Sequence, residues 1–343
     1  MQAVFFTEGG KKLGLGHLTR CLALAQAFAE QSITCKFAVW ADASVKDLLT
    51  EFQTQYFNWT EGSEGSRLLN GQLSAADIAV IDSYYAGIDV YRQIQQQVNA
   101  GVYFDDYNRI PYPAGFVING ALHLLAGNIT YPVTNQITYL LGPVFQPLRR
   151  QFWHLRTRPE HPTVESIFLT CGGSDPHQLT PALAEFLTSQ YPALKITVLI
   201  GHSFQNPQRI TQISNDRITV LTAPPVEAIT EAMQSSDIAI TTAGQTMYEL
   251  AAVGVPPVVI GVAENQKYNI EGWLAADFIE FAGWRNDRHL LSAVKKSVDK
   301  LITDPALRQK KSRIGQKLID GQGSHRIMEK VLDYVRKNQV HDP

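Results

Sequence analysis

Hydrophobic positions along the chain fall into two alternating patterns. Short apolar runs, the signature of strands buried on both faces, alternate with stretches whose apolar residues recur at helical spacing. At the start of the chain, Ala3-Val4-Phe5-Phe6-Thr7 predicts a buried strand, and the polar, glycine-rich segment from Glu8 to Leu13 predicts a loop. Leu18, Cys21, Leu22, Ala25, Phe28 and Ala29 then predict an amphipathic helix. The same rhythm predicts strands over 34–40, 56–59, 76–81, 102–104 and 116–118, with helices over 45–52 and 90–98.

Between Thr130 and Arg158 the pattern breaks. Leu140-Leu141-Gly142-Pro143 and Arg149-Arg150 read as the exit from a first domain, and residues 156–163, with Pro159 and Pro162, read as a linker. The rhythm then restarts. Strands are predicted over 166–170, 196–200, 218–220, 238–242 and 257–260, and helices over 180–191, 226–235 and from Glu264 onward. Residues 289–339 read as largely helical. Repeated strand–helix–strand units imply an α/β protein with mostly parallel sheets and crossover helices. A chain of 343 residues holds about two domains of ordinary size. The expected division is 1–148 and 149–343.

Composition narrows the partners. The formal net charge is −2 and no basic tract stands out, which argues against nucleic acid. The three cysteines, Cys21, Cys35 and Cys171, form no C-x-x-C pair and are odd in number, as expected of reduced thiols in the cytoplasm. The first residues lack the basic flank and apolar run of a signal peptide, and no run of about 18 apolar residues predicts a membrane span. The oligomeric state is not legible in the sequence.

Candidate chemistry gathers where predicted strands end. Gly14-Leu15-Gly16-His17 stands at the turn from the first strand into the first helix. Open α/β sheets bind ligands at that end of their strands, and the free N–H groups and positive dipole end of a helix attract phosphate. The dipole disfavours a charged imidazole there, leaving His17 able to accept a proton. Asp82, Tyr84, Asp105 and Asp106 stand just past two other strands and can converge with His17 on one rim. More ordinary roles compete: Gly14 and Gly16 as part of a dinucleotide fingerprint, although Thr19 stands where the third glycine belongs; His17 as a helix cap or phosphate contact; Asp82 and Asp105 as caps or turn closures.

The second half offers three strand-to-helix turns able to point N–H groups at an anion: Gly172-Gly173-Ser174, Thr242 to Thr246 with Gly244, and Glu264-Asn265-Gln266. Glu249 lies about one helical turn beyond Thr246, where a carboxylate can accept from a ribose diol. A solvent-facing glutamate and simple tight turns are the competing accounts. No His/Cys cluster has zinc spacing, and Asp105-Asp106 is the pair that could hold magnesium; the expectation is no metal and no cofactor.

With these residues in view, the chain resembles GT-B-type proteins, whose two Rossmann-like lobes face each other across a cleft. Within that group it is similar to the UDP-sugar hydrolases of pseudaminic-acid synthesis and to related spore-coat polysaccharide proteins. The likeness rests on Gly14-Leu15-Gly16-His17-Leu18-Thr19-Arg20-Cys21-Leu22-Ala23-Leu24-Ala25, Ile81-Asp82-Ser83-Tyr84 and Phe104-Asp105-Asp106. It rests also on Gly172-Gly173-Ser174-Asp175-Pro176 with Leu179-Thr180, and on Ala263-Glu264-Asn265-Gln266. It implies metal-free hydrolysis of UDP-2,4-diacetamido-2,4,6-trideoxy-β-L-altropyranose to free sugar and UDP, with His17 as base and Tyr84 beside it. A weaker likeness, to the lipid-intermediate N-acetylglucosaminyltransferase of cell-wall synthesis, implies that Glu249 holds the ribose and that backbone near Val226 meets uracil. The segments around Thr241–Glu249 and Tyr107–Pro113 depart from these relatives, so another UDP-linked amino sugar is also compatible. The expected activity is UDP-sugar hydrolysis; the alternatives are a glycosyltransferase, an epimerase and a non-catalytic nucleotide-sugar binder.

Overall fold

The computed structural model describes residues 1–10, 13–61, 63–126, 129–156, 161–173, 175–201, 204, 207–213 and 215–339. The chain divides into two units, Met1–Trp153 with Gly321–Pro343, and His154–Asp320. No helix among the described residues is long and apolar enough to cross a membrane.

The first unit is built on seven strands: β1 (Gln2–Gly9), β2 (Thr34–Ala41), β3 (Gln53–Tyr56), β4 (Ile78–Asp82), β5 (Ala100–Phe104), β6 (Gly115–Asn119) and β7 (Ile137–Leu141). They lie in the order β3-β2-β1-β4-β5-β6-β7, with every neighbouring pair parallel. Both faces of the sheet are covered, which is why the central strands read as unbroken apolar runs. In β1, Ala3 and Phe5 pack on one face with α1 (Gly16–Glu30), while Val4 and Phe6 pack on the other, in the cluster that holds Leu69 and Leu73 of α2 (Ser63–Leu73) and Tyr91 and Ile94 of α3 (Ile88–Gln95).

The second unit has six strands, β8 (Ser166–Thr170), β9 (Lys195–Ile200), β10 (Ile218–Thr222), β11 (Ile238–Thr242), β12 (Pro257–Gly261) and β13 (Glu280–Trp284). Their order is β10-β9-β8-β11-β12-β13, again parallel throughout. Its helices include α4 (Leu179–Gln190), α5 (Pro207–Thr211), α6 (Val226–Gln234), α7 (Thr246–Val253), α8 (Lys267–Ala275), α9 (Leu290–Thr303) and α10 (Pro305–Leu318).

Three expectations about elements and domains change here, besides those at Glu8 and β7. Residues 45–52 do not form an α-helix; a 3-10 turn over Ala43–Leu48 stands there, capped by Asp42. The strand expected at 56–59 lies earlier, at β3, and Trp59 instead buries its ring and donates its indole N–H to the Thr7 carbonyl at 2.9 Å. The C-terminal helix Gly323–Gln339, assigned above to the second domain, belongs to the first unit. Its apolar residues Ile327, Met328, Val331, Leu332 and Val335 join the core beneath β1 and α1. Of the linker expected over 156–163, residues 157–160 lie outside the described set.

Candidate functional site

Parallel strands bring all their C-terminal ends to one edge, and chain reversal opens a crevice where successive connections leave in opposite directions. In the first unit that switch point lies between β1 and β4. His17, second residue of α1, enters it from β1, and Asp82, last residue of β4, enters from the other side. The His17 Nδ1 and Asp82 Oδ1 atoms are hydrogen-bonded to each other. Asp82 is fully buried and His17 is 9% exposed. The bond engages Nδ1 and leaves Nε2 as the ring nitrogen that can meet a substrate.

Burial favours the protonated form of Asp82. The Arg20 guanidinium and His17 outweigh it and hold the carboxyl well below the usual carboxylate range. Arg20 lies three residues after His17 on α1, on the same side of the helix. It donates to Asp82 through Nη2 at 2.8 Å and to Asp106 through Nη1 at 2.8 Å and Nη2 at 3.0 Å. Burial opposes ionisation of Asp106 too, and Arg20 again prevails.

Tyr84 is 40% exposed, and its hydroxyl donates to Asp106 Oδ2 at 2.5 Å. Its ring stands edge-on to His17, with centroids 4.3 Å apart. Desolvation and the Asp106 carboxylate raise the Tyr84 pKa, so the phenol keeps its proton. Glu8 lies below this group. It belongs to β1, not to the loop that the sequence predicts, and it accepts from Ser83 Oγ at 2.6 Å and from the Tyr84 backbone N–H at 2.7 Å. Burial raises its pKa, against the two hydrogen bonds. His123 completes the rim, its Nε2 within 3.1 Å of the Asp106 carbonyl oxygen and its ring stacked with Tyr107. Burial lowers its pKa.

The paired aspartates have different tasks. Asp105 accepts from the Asn108 and Arg109 N–H groups and from the hydroxyls of Tyr112 and Tyr131, so it closes the turn after β5 and ties two tyrosines to it. Asp106 faces Arg20 and Tyr84. Gly14 closes a small loop with Gly10, each N–H bonding to the other's carbonyl at 2.8 and 3.0 Å. Its amide is thus used within the loop. Gly16 opens α1, whose first turn has no side-chain cap and no acidic residue.

In the second unit the switch point lies between β8 and β11. Gly172, at φ +94°, and Gly173 follow β8; Ser174 lies outside the described residues. A side chain at Gly201, after β9, would meet the Gly173 carbonyl oxygen at 2.4 Å, so the two turns pack backbone to backbone. Asp175 accepts from the Leu179 and Thr180 N–H groups and caps α4. After β11, the Gly244 N–H bonds back to the Thr242 carbonyl at 2.8 Å, so this glycine shapes the turn with an amide already satisfied. Thr246 opens α7, and Glu249 in its first turn is 6% exposed, not on a solvent face. After β12, Glu264 and Asn265 are exposed in a 3-10 turn, while the Gln266 side chain accepts from the Val262 N–H at 2.9 Å and braces it. Val226 opens α6 after β10. Thr242 ends β11, and Gly244, Thr246, Glu249, Glu264, Asn265, Gln266 and Val226 follow strand ends on the same edge of the second sheet.

Residues 166–314 match the model of the glycosyltransferase family 28 C-terminal domain. Over 286 residues the chain is 25% identical to an uncharacterized protein of Methanocaldococcus jannaschii, covering 80% of this chain and 58% of that one. It is 23% identical over 354 residues to the spore coat polysaccharide biosynthesis protein SpsG of Bacillus subtilis, covering 95% and 96% of the two chains. It is 23% identical over 260 residues to a Helicobacter pylori protein named pseudaminic acid cytidylyltransferase and UDP-2,4-diacetamido-2,4,6-trideoxy-beta-L-altropyranose hydrolase, covering 74% of this chain and 43% of that protein. The chain thus spans less than two thirds of the archaeal and Helicobacter relatives. Among solved structures, MurG of Acinetobacter baumannii is similar with a TM-score of 0.63 at 13% identity, over 97% of this chain and 100% of that one. UDP-GlcNAc 2-epimerase from Neisseria meningitidis is similar with a TM-score of 0.60 at 12% identity, over 97% and 100%. Each of the two units is a Rossmann-like α/β lobe, the fold of GT-B glycosyltransferases.

Proposed function

We propose that the protein hydrolyses a UDP-linked amino sugar to free sugar and UDP, with His17 as general base. The observation that carries this reading is the buried His17–Asp82 pair at the switch point of the first sheet. An ionised Asp82 fixes the imidazole with its proton on Nδ1 and stabilises the imidazolium formed when Nε2 takes a proton. Water attacks the anomeric carbon, its proton passes to Nε2, and the bond from that carbon to the diphosphate oxygen breaks, its electron pair leaving with UDP. UDP departs as a weak base and needs no general acid; backbone N–H groups aimed at the diphosphate would stabilise its growing charge. Likeness to the Helicobacter hydrolase supports the water reaction.

A second reading, transfer of the sugar to an acceptor hydroxyl, is favoured by the match of residues 166–314 to a glycosyltransferase domain. Incubation with a panel of UDP-amino sugars, followed by proton NMR of the anomeric signals, separates the two. Free sugar released without an acceptor is expected. Turnover seen only when an acceptor is added would establish transfer, and interconversion of sugars without UDP release would establish epimerisation.

Two further outcomes follow from this chemistry. In ¹⁸O-labelled water the label is expected in the released sugar; label in UDP would mean attack on phosphorus and would overturn the mechanism. Glu249→Gln is expected to weaken UDP binding through loss of a charged hydrogen bond to the ribose diol, worth about 1.5–3 kcal/mol. Calorimetry with a UDP analogue lacking the 2′- and 3′-hydroxyls provides the control, because an equal loss for both ligands would remove Glu249 from the ribose.

A further inference from the structure

Arg20 touches two carboxylates of the first unit's rim, Asp82 and Asp106. One guanidinium donates to Asp82, which grips His17, and to Asp106, which accepts the Tyr84 hydroxyl. The fork is nearly enclosed: the Arg20 side chain is 14% exposed, Asp82 1% and Asp106 18%. Its carbon centre stands 5.1 Å from the centroid of the Phe104 ring. His17 and Tyr84, the two side chains that stand edge to face above this layer, are therefore hung from a single planar cation.

We infer that Arg20 is the positioning residue that sets the base and the Tyr84 hydroxyl in one rigid geometry toward the reacting sugar. The inference rests on the reading of His17 as base. The physical argument is one of charge and shape. Two carboxylates side by side, Asp82 buried and Asp106 largely enclosed, resist joint ionisation without a cation between them. Loss of Arg20 drives a proton onto one of them. A protonated Asp82 no longer stabilises the His17 imidazolium, and a protonated Asp106 no longer orders the Tyr84 hydroxyl. Lysine supplies the charge but not the fork, since an ammonium is a point donor on a flexible stem and cannot align two carboxylates at once. A mere packing role over Phe104 would make the chain stem, not the guanidinium, the important part.

The experiment compares Arg20→Lys and Arg20→Ala with the wild type on the UDP-amino sugar that the NMR panel identifies. Arg20→Lys is expected to lower kcat about 10- to 100-fold, the range of a lost charged hydrogen bond, with KM and UDP affinity near their wild-type values. Arg20→Ala is expected to lose more, and to regain part of its kcat in millimolar guanidinium chloride but not in equal sodium chloride. Wild-type kcat in Arg20→Lys overturns the inference. So does a folded, UDP-binding Arg20→Ala that guanidinium leaves unchanged. If Arg20→Ala does not fold, the kcat of Arg20→Lys decides alone. The base reading fails separately, through an active His17→Ala; an inactive His17→Ala beside a fully active Arg20→Lys would leave that reading standing and remove Arg20.

Discussion

His17→Ala is expected to reduce kcat on the true UDP-sugar by roughly 10²–10⁴-fold, the usual contribution of a general base. UDP affinity is expected to stay within a few-fold of wild type. Both halves follow from where the residue sits. His17 lies in the first unit with its Nδ1 held by Asp82, while the turns proposed to hold UDP follow strands of the second sheet. Removing the ring leaves Asp82 paired with Arg20, so the buried carboxylate keeps a partner and the fold keeps its support. Steady-state kinetics with calorimetric titration of UDP checks the split. A variant with near-wild-type turnover would refute His17 as base, and a variant that loses UDP binding in parallel would move His17 from proton transfer to ligand binding.

Much of the frame was legible because parallel strands covered on both faces leave continuous apolar runs. The sequence reading placed strands at 166–170 and 238–242, the bounds that β8 and β11 have. Where burial is one-sided the signal fades. In β7, at the sheet edge, only Leu140 is buried, and its apolar pair read as a domain exit. The helix Ser63–Leu73 buries Gly65, Leu69 and Leu73 at four-residue spacing, but with two glycines among polar residues this stripe holds too few large apolar side chains to stand out. The C-terminal segment has helical spacing, but no periodicity says which core its apolar face meets.

The site was legible to the extent that parallel topology sends strand ends to one edge. That logic brought Asp82, Tyr84 and Asp106 toward His17, and the structure places these four together. It could not separate Asp105 from Asp106, because adjacent residues past a strand end turn to different surroundings, here two tyrosines and an arginine. Glu8 was hidden because the apolar run stops at Phe6 while the strand continues to Gly9. Arg20 carried a usable signal in its spacing of three from His17. His123 carried none.

Asp82→Asn is expected to lower kcat by about 10²–10⁴-fold while keeping the size and shape of the side chain. An amide at this position can donate as well as accept. It can therefore settle against the His17 ring with the imidazole proton on Nε2, the wrong nitrogen for a base, and it withdraws the negative charge that stabilises the imidazolium. The same change has a measurable cost in stability. Burial opposes ionisation of Asp82, yet Arg20 and His17 hold its folded pKa well below the ordinary value. An unfolded aspartate titrates near 3.9, so between that value and the lower folded one the unfolded chain binds more protons. The contribution of Asp82 is thus fully present above about pH 4 and declines as pH falls through the window below it. Denaturant unfolding of wild type and Asp82→Asn between about pH 2 and 6 reads this out. The stability gap between the two is expected to narrow on acidification, and a gap that stays constant would show that Asp82 is not an ionised partner of Arg20 in the folded protein. Wild-type kcat in the variant would show that the carboxylate does not serve the base, whatever its effect on stability.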